Sequence, residues 1–318
     1  MNVKCSLCNQ ITISRNQNVR SGETLKINYC NECDFEFFSH DQQKDLENNK
    51  LDISRLESAG LTIPNIEEDY QNGLLQSRKY MAEYLDKEDV GKNILEVGCS
   101  WGYFLELTKK FGCNSYGVEI NKKRSEYINQ NLNIRCDLDI NKYKLEKIKF
   151  KKIFLFYVLE YIPNPIKYID DLINMLEESG QLIIITPNLK DILKNIFMNR
   201  KFNNFFYDIF AINYFSPKSI QILSSKINSN FNKYEAKTIQ GYSYANHINW
   251  FLNNKPTETK IVGGDRFISD IILKLKDNNN DSALRDKLIN FFEKSKAEYE
   301  KIISDSDYGN QILLKFKK

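Results

Sequence analysis

Residues 93–107, NILEVGCSWGYFLEL, decide the fold. An apolar run ends on Glu96. A glycine follows, then a turn of small residues, then apolar positions at helical spacing. That order predicts a buried strand, a tight turn and a helix opening towards a ligand. Gly98 permits the turn, Ser100 is small enough for close approach to backbone, and Gly102 lets the helix pack near the strand. A dinucleotide fingerprint, G-x-G-x-x-G, would put its third glycine at Tyr103, so the aromatic residues here weaken a pyrophosphate reading.

The pattern repeats outward from this turn. Strand-like NSYGVEI (114–120) precedes helix-like KKRSEYINQN (122–131), and a short strand NIRCD (133–137) follows. KKIFLFYVLEYI (151–162) reads as a buried strand with its exit loop. PIKYIDDLINMLEES (165–179) reads as an amphipathic helix, and GQLIIITP (180–187) as another buried strand. KYEAKTIQ (233–240) and GNQILLKFKK (309–318) read as the last two strands. Strands alternating with helices predict an α/β fold with a mostly parallel sheet covered on both faces. Ligands in such sheets sit at the carboxyl ends of the strands. Glu96, Glu119 and Asp137 end three successive strands there. Glu119 can accept two ribose hydroxyls, Asp137 an adenine amino proton, and Glu96 can orient a cationic group, so together they suit an adenosine carrying positive charge.

Four of the seven cysteines form a second pattern. Cys5 and Cys8, then Cys30 and Cys33, are two C-x2-C pairs, the spacing of a closed tetrahedral zinc site. ITISRNQ and ETLKINYC between them alternate like the strands of a ribbon. About 45 residues bury too little apolar surface to fold alone, and a structural zinc would supply the missing stability. Charges over residues 1–40 cancel: Lys4, Arg15, Arg20 and Lys26 against Glu23, Glu32, Asp34 and Glu36. The ribbon therefore reads as a docking element or substrate lid rather than a grip on RNA. Cys99, Cys113 and Cys136 read as small packing residues.

The whole chain carries 45 Lys and Arg against 42 Asp and Glu, interleaved, with no basic stripe of the kind a nucleic-acid groove shows. No run is long enough for a membrane span, and no apolar leader opens the sequence, so a cytoplasmic location is expected.

The order LEVGCSWG, YGVEI, CDLD, FYVLEYIPNP, GQLIIITPN resembles the class I S-adenosylmethionine-dependent methyltransferases over roughly residues 90–240. The resemblance implies a Rossmann-like sheet whose last strand runs antiparallel beside the sixth. It implies S-adenosylmethionine held by Glu96, Gly98, Ser100, Gly102, Glu119, Ile120, Asp137, Leu138 and Tyr157. In relatives a histidine stands where this chain has Tyr161, and a second stands where it has Ala211. His40, behind the ribbon, reads as a surface or linker residue. QGYSYANHINWFLNNKP (240–256) resembles a stretch in methyltransferases of surface-polysaccharide and O-antigen clusters, matching at Tyr242, Asn246, His247, Trp250, Lys255 and Pro256, with Gly241 in place of an arginine. The expected base is then His247, with Tyr161 second, and Tyr242, Asn246 and Trp250 would grip the acceptor.

The resulting division is a ribbon over 1–45, a helical linker or lid over 46–90, the cofactor domain over 91–240, a substrate-side insertion over 241–305, and a last strand over 306–318. The expected reaction is methyl transfer to a nucleotide-linked sugar or glycan precursor, oxygen favoured over carbon. The rival readings are a methyltransferase of a small phenol or quinone, which predicts an apolar pocket without Asn246 or His247, and an inactive zinc-containing scaffold.

Overall fold

The computed structural model describes residues 3–38, 66–256, 267–276 and 282–318. His40 and the first part of the expected linker lie outside the described residues. The ribbon begins with β1 (Ile13–Asn18) and β2 (Thr24–Cys30), antiparallel and in register from Ile13 opposite Tyr29 to Asn18 opposite Thr24. Their turn passes through Gly22 at φ 100°, which a Cβ would resist. A third strand, β3 (Phe35–Phe38), pairs with β2.

α1 (Ile66–Tyr84) leads to the central sheet. There follow β4 (Asn93–Val97), α2 (Tyr103–Phe111), β5 (Asn114–Val118), α3 (Lys122–Asn131), β6 (Arg135–Asp137), α4 (Asn141–Leu145) and β7 (Phe150–Phe156). Then come α5 (Pro165–Asn174) and β8 (Leu176–Pro187). Sequence reading starts β8 at Gly180, but the strand begins at Leu176. Met175 ends α5 by donating back to Leu172, and the chain enters the sheet at once with Leu176 beside Phe150.

α6 (Ile192–Asn195), α7 (Arg200–Phe206), β9 (Asn213–Tyr214) and α8 (Pro217–Ser224) precede β10 (Lys233–Ile239). α9 (Tyr244–Asn253), α10 (Phe267–Lys276) and α11 (Ser282–Asp305) fill the region between β10 and the final strand β11 (Gln311–Lys317). The central sheet runs β10-β11-β8-β7-β4-β5-β6. β8, β7, β4, β5 and β6 are parallel, and β11 lies antiparallel between β8 and β10. Strand order reverses at β4, so the crevice for a ligand opens at the end of β4.

The ribbon is welded to this sheet. β3 pairs with β9, Glu36 opposite Tyr214. Buried Glu36 accepts from Arg15 at 2.8 Å and from Tyr207 at 2.5 Å, and Lys190 pairs with Asp34 at 2.8 Å. Cys5, Leu7, Cys30, Cys33, Phe35 and Phe37 share one apolar cluster with Leu95, Val97, Leu155 and Ile184 of the central sheet. The ribbon, expected as a docking element or substrate lid, is thus packed into the core through β9 and this shared cluster.

α1 covers the other side. Tyr80 stacks on Phe156 with ring centroids 4.2 Å apart, and Tyr84 packs near Phe154. Buried Lys152 pins the helix end, donating to Tyr84 O at 2.8 Å and to buried Asp89 at 2.6 Å. No helix among the described residues is long and apolar enough to cross a membrane.

Candidate active site

The turn after β4 is built from left-handed backbone. Gly98, Ser100 and Gly102 have φ of 72°, 51° and 81°. A Cβ on Gly98 would lie 2.4 Å from Val158 Cγ2, so glycine there is a requirement of the exit loop of β7 as well as of the turn. Gly102 has a different neighbour from the one expected. Its missing Cβ faces Leu132 and Ile128 at 2.8 and 3.0 Å, so it lets the turn approach α3 and the loop that follows, not the strand.

Glu119 ties the turn together. It is buried just beyond β5, and its carboxylate accepts Ser100 N–H at 2.9 Å and Asn121 N–H at 2.8 Å. The positive φ of Ser100 turns its N–H back onto β5. The small side chain at this position therefore serves the tie to Glu119 as much as any ligand. Two backbone donors still leave this carboxylate lone pairs for hydroxyl donors. Ile120 and Leu138, one residue past Glu119 and Asp137, are both exposed aliphatic side chains.

Asp137 is differently occupied. Arg135 Nε lies 3.0 Å and Lys142 Nζ 2.6 Å from its two oxygens, and these cations hold its carboxyl below the usual range against the opposing effect of burial. Its first partners are surface cations.

Glu96 is enclosed at the end of β4. Its Oε2 has no hydrogen-bond partner among the described residues. Burial pushes its carboxyl well above the ordinary value, with Cys136 and Glu119 adding to the effect. An unpaired buried carboxyl is costly, and a cationic group is the ligand that relieves it. A left-handed glycine turn, a buried acid awaiting a cation and a two-oxygen acceptor at Glu119 fit the amino-acid end and the ribose of S-adenosylmethionine.

Tyr157 follows β7 with φ 58°, its N–H bonded to Ile185 O at 2.8 Å. Burial, with Tyr80 and Tyr242 close by, pushes its phenol well above the usual tyrosine range. Tyr80 of α1 and Tyr157, just past β7, share one apolar cluster, and Tyr242 beyond β10 lies near enough to Tyr157 to add to this effect. Sequence reading finds Tyr157 and Tyr242 but misses Tyr80, whose spacing is that of an ordinary helix core.

Tyr161 packs against a cluster of Val19, Ile27, Phe38, Tyr207 and Tyr214, the seam between ribbon and core. His247 is only 2% exposed. Its Nδ1 lies 2.6 Å from Tyr299 Oη and its Nε2 lies 3.4 Å from Gln240 Nε2. Gln240 Oε1 accepts Asn310 N–H, which turns the Gln240 amide towards His247 and makes its Nε2 the acceptor, so Nδ1–H donates to Tyr299. Both nitrogens face protein groups, and the ring braces α9 against α11. Trp250 is buried edge-on against Phe202 and packs with Leu193. Asn246 is buried beneath the same helix. Of the three expected acceptor contacts in this segment, Tyr242 alone is not buried.

Sequence reading also misses Asp191, which caps α6 and is buried. Burial raises its carboxyl to about 7, partly offset by the Leu193 N–H and by Lys194. A lone acid after a strand carries no signal of burial.

The second cluster is at the ribbon. The sulfurs of Cys5, Cys8, Cys30 and Cys33 all lie within 4.8 Å of one another, with Cys5–Cys33 at 3.9 Å and Cys8–Cys30 at 3.5 Å. Zn–S bonds of about 2.3 Å in a tetrahedron separate sulfurs by about 3.8 Å, so this cage fits a zinc ion. Leu7 N–H points at Cys5 Sγ at 3.4 Å, the kind of donor that stabilises a thiolate ligand.

Residues 67–230 match a family described as "Methyltransferase domain". This stretch is just over half of the chain, and the chain belongs to that family: it carries a class I S-adenosylmethionine-dependent methyltransferase domain on a Rossmann-like, mostly parallel sheet. Among curated proteins it is similar to the ubiquinone biosynthesis O-methyltransferase of Coxiella burnetii, 27% identical over 131 residues, which are 39% of this chain and 51% of that protein. The chain spans about half the length of the curated relatives it matches. Solved structures that resemble it include an S-adenosylmethionine-dependent methyltransferase from Archaeoglobus fulgidus, with 15% identity, a TM-score of 0.47, and coverage of 79% of this chain and 97% of that one. Another is the plantazolicin methyltransferase BamL in complex with a desmethyl plantazolicin analogue and S-adenosylhomocysteine, with 11% identity, a TM-score of 0.48, and coverage of 87% and 97%.

Proposed function

We propose that this protein transfers the methyl group of S-adenosylmethionine to an oxygen of a small, planar acceptor. The observation that carries the cofactor half is Glu96, a buried carboxyl with an unpartnered oxygen under a left-handed glycine turn. Glu96 and the Gly98–Gly102 turn would hold the amino-acid end, Glu119 the ribose, and the exposed Ile120 and Leu138 the faces of the adenine. When bound, the cofactor supplies an electrophilic methyl at its sulfonium.

The acceptor half rests on Tyr80 and Tyr157, which share one apolar cluster, with Tyr242 in the vicinity of Tyr157. Aromatic side chains pair with flat rings by offset or edge contact, and His247 and Trp250, expected to meet a sugar, are buried against Tyr299 and Phe202. The phenol of Tyr157, pushed upwards by burial, stays protonated at neutral pH and would donate a hydrogen bond to the bound acceptor. It orients the acceptor oxygen, which reacts as the phenolate, its proton passing to solvent before the methyl is transferred. A small aromatic alcohol is therefore the preferred substrate class, in keeping with the O-methyltransferase that the chain resembles over part of its length.

Titration calorimetry with S-adenosylhomocysteine tests the cofactor site. Binding in the micromolar range, weakened about tenfold or more by Glu119→Ala or Glu96→Gln, is the expected result. No binding by the wild type would overturn the reading. A screen of phenols against nucleotide-sugars for labelled methyl uptake then tests the acceptor class, and turnover confined to nucleotide-sugars would reverse it.

We further propose a structural zinc at Cys5, Cys8, Cys30 and Cys33. Metal analysis of purified protein should find one zinc per chain. Chelation should melt the ribbon and, through β3 and β9, lower the stability of the whole molecule. Protein that is metal-free yet equally stable would refute this.

A further inference from the structure

Two segments, the second of which carries Tyr242, differ in charge from the rest of the chain. Residues 192–207 and 241–256 contain no Asp or Glu, and they carry Lys194, Arg200, Lys201 and Lys255. Elsewhere acids and bases balance. The two segments form one surface. Phe197 meets Phe251 edge-on with centroids 5.1 Å apart, Asn199 donates to Trp250 O at 3.1 Å, and Trp250 is sealed beneath against Phe202.

With Trp250 and Phe202 facing inward, the outward positions hold large apolar side chains. Met198 is 76% and Leu252 74% exposed, and Ile196, Ile248 and Phe251 are each more than half exposed. Arg200, Lys201 and Lys255 are also exposed. Five projecting apolar side chains are more than a scattered surface needs. Aliphatic and aromatic tips flanked by cations are the makeup of a surface that inserts shallowly among lipid headgroups. A second copy of the chain is a poor occupant, since two faces that each lack acids and carry cations repel one another.

We propose that this face docks on an anionic lipid bilayer. The cations meet the surface charge, and Met198, Phe251 and Leu252 enter the headgroup layer. α9 starts two residues after Tyr242, so on the acceptor site proposed above the docked face continues directly from the acceptor side.

Co-sedimentation of the full chain with vesicles tests this. Phosphatidylcholine mixed with phosphatidylglycerol should bind the protein, phosphatidylcholine alone should bind it weakly, and raised salt should release it. Arg200→Glu with Lys201→Glu should weaken binding about tenfold or more, and Met198→Ser with Leu252→Ser by a similar factor. Phe291→Ser, an exposed apolar residue on α11, should leave binding unchanged. Unaltered thermal unfolding of each variant shows that the fold is kept. Absence of binding to anionic vesicles overturns the proposal. So does an equal loss with Phe291→Ser, or concentration-dependent dimerisation abolished by Leu252→Ser.

Discussion

The turn at residues 98–102 and the segment at residues 240–250 both read as ligand-binding motifs, and they fold in opposite ways. The turn keeps its residues at the sheet edge, and Glu119 comes from the next strand to tie it. The segment becomes α9 and buries Asn246, His247 and Trp250 on its inner side. The turn is defined by backbone conformation, which neighbouring residues set. The segment is defined by side-chain identity on a helix, and the packing partners decide which side faces a ligand. Polar and aromatic residues that suit a substrate also suit a brace between helices.

The largest expected effect is at the turn. Gly98→Ala drives a Cβ into Val158 at a φ that disfavours any side chain. A displaced turn should cost about 3 kcal/mol of cofactor binding, roughly a hundredfold in affinity for S-adenosylhomocysteine. Retained affinity would mean that the turn does not cradle the ligand.

Changes in the segment should act on stability first. Trp250→Ala is expected to lose about 3–5 kcal/mol in denaturant unfolding. His247→Ala strands Tyr299 and Gln240 and should lose about 2–3 kcal/mol, while the pH profile of turnover keeps its shape. If His247→Ala instead unfolds normally and loses turnover, the histidine is the base and the contrast between the regions fails.

Asp191 gives the segment a pH signature through its neighbour Tyr299. The folded state holds the Asp191 proton up to about pH 7, whereas the unfolded chain releases it near 3.8. The folded state therefore binds the extra proton between those values, and stability falls as pH rises through the window. Asp191→Asn, which can still cap α6, should flatten the profile, gaining up to about 4 kcal/mol over wild type by pH 8. Parallel pH profiles for the two proteins would refute the raised carboxyl.

The smallest effect is expected at Asp137. Its partners are largely solvent-exposed, so Asp137→Asn should cost less than about 1 kcal/mol of stability. Affinity for S-adenosylhomocysteine should change by less than about threefold. A tenfold loss would restore the adenine contact that the resemblance implies.

Much of the sheet was legible in the sequence because its signals are local. Most apolar runs of strand length and the helices between them fall where the pattern puts them, β8 starting early at Leu176, the last strand runs antiparallel as the resemblance implies, and KKRSEYINQN is α3 end to end. The C-x2-C pairs are legible for the same reason, since a knuckle places two sulfurs whatever surrounds it, and the four do converge. The partnership of β3 with β9, about 180 residues apart, was not legible. Nor were the burial of Glu36 against Tyr207 and the descent of Tyr161 into the ribbon seam. The sequence by itself determined the order of strands and helices, the glycine turn and the thiol cage, because short-range sterics and periodicity encode them. Only the tertiary structure decided that the ribbon is part of the core, that His247 is buried between Gln240 and Tyr299, and that Tyr80 joins Tyr157. Those outcomes depend on which surfaces meet across the chain, and a residue's burial and partners are properties of that meeting.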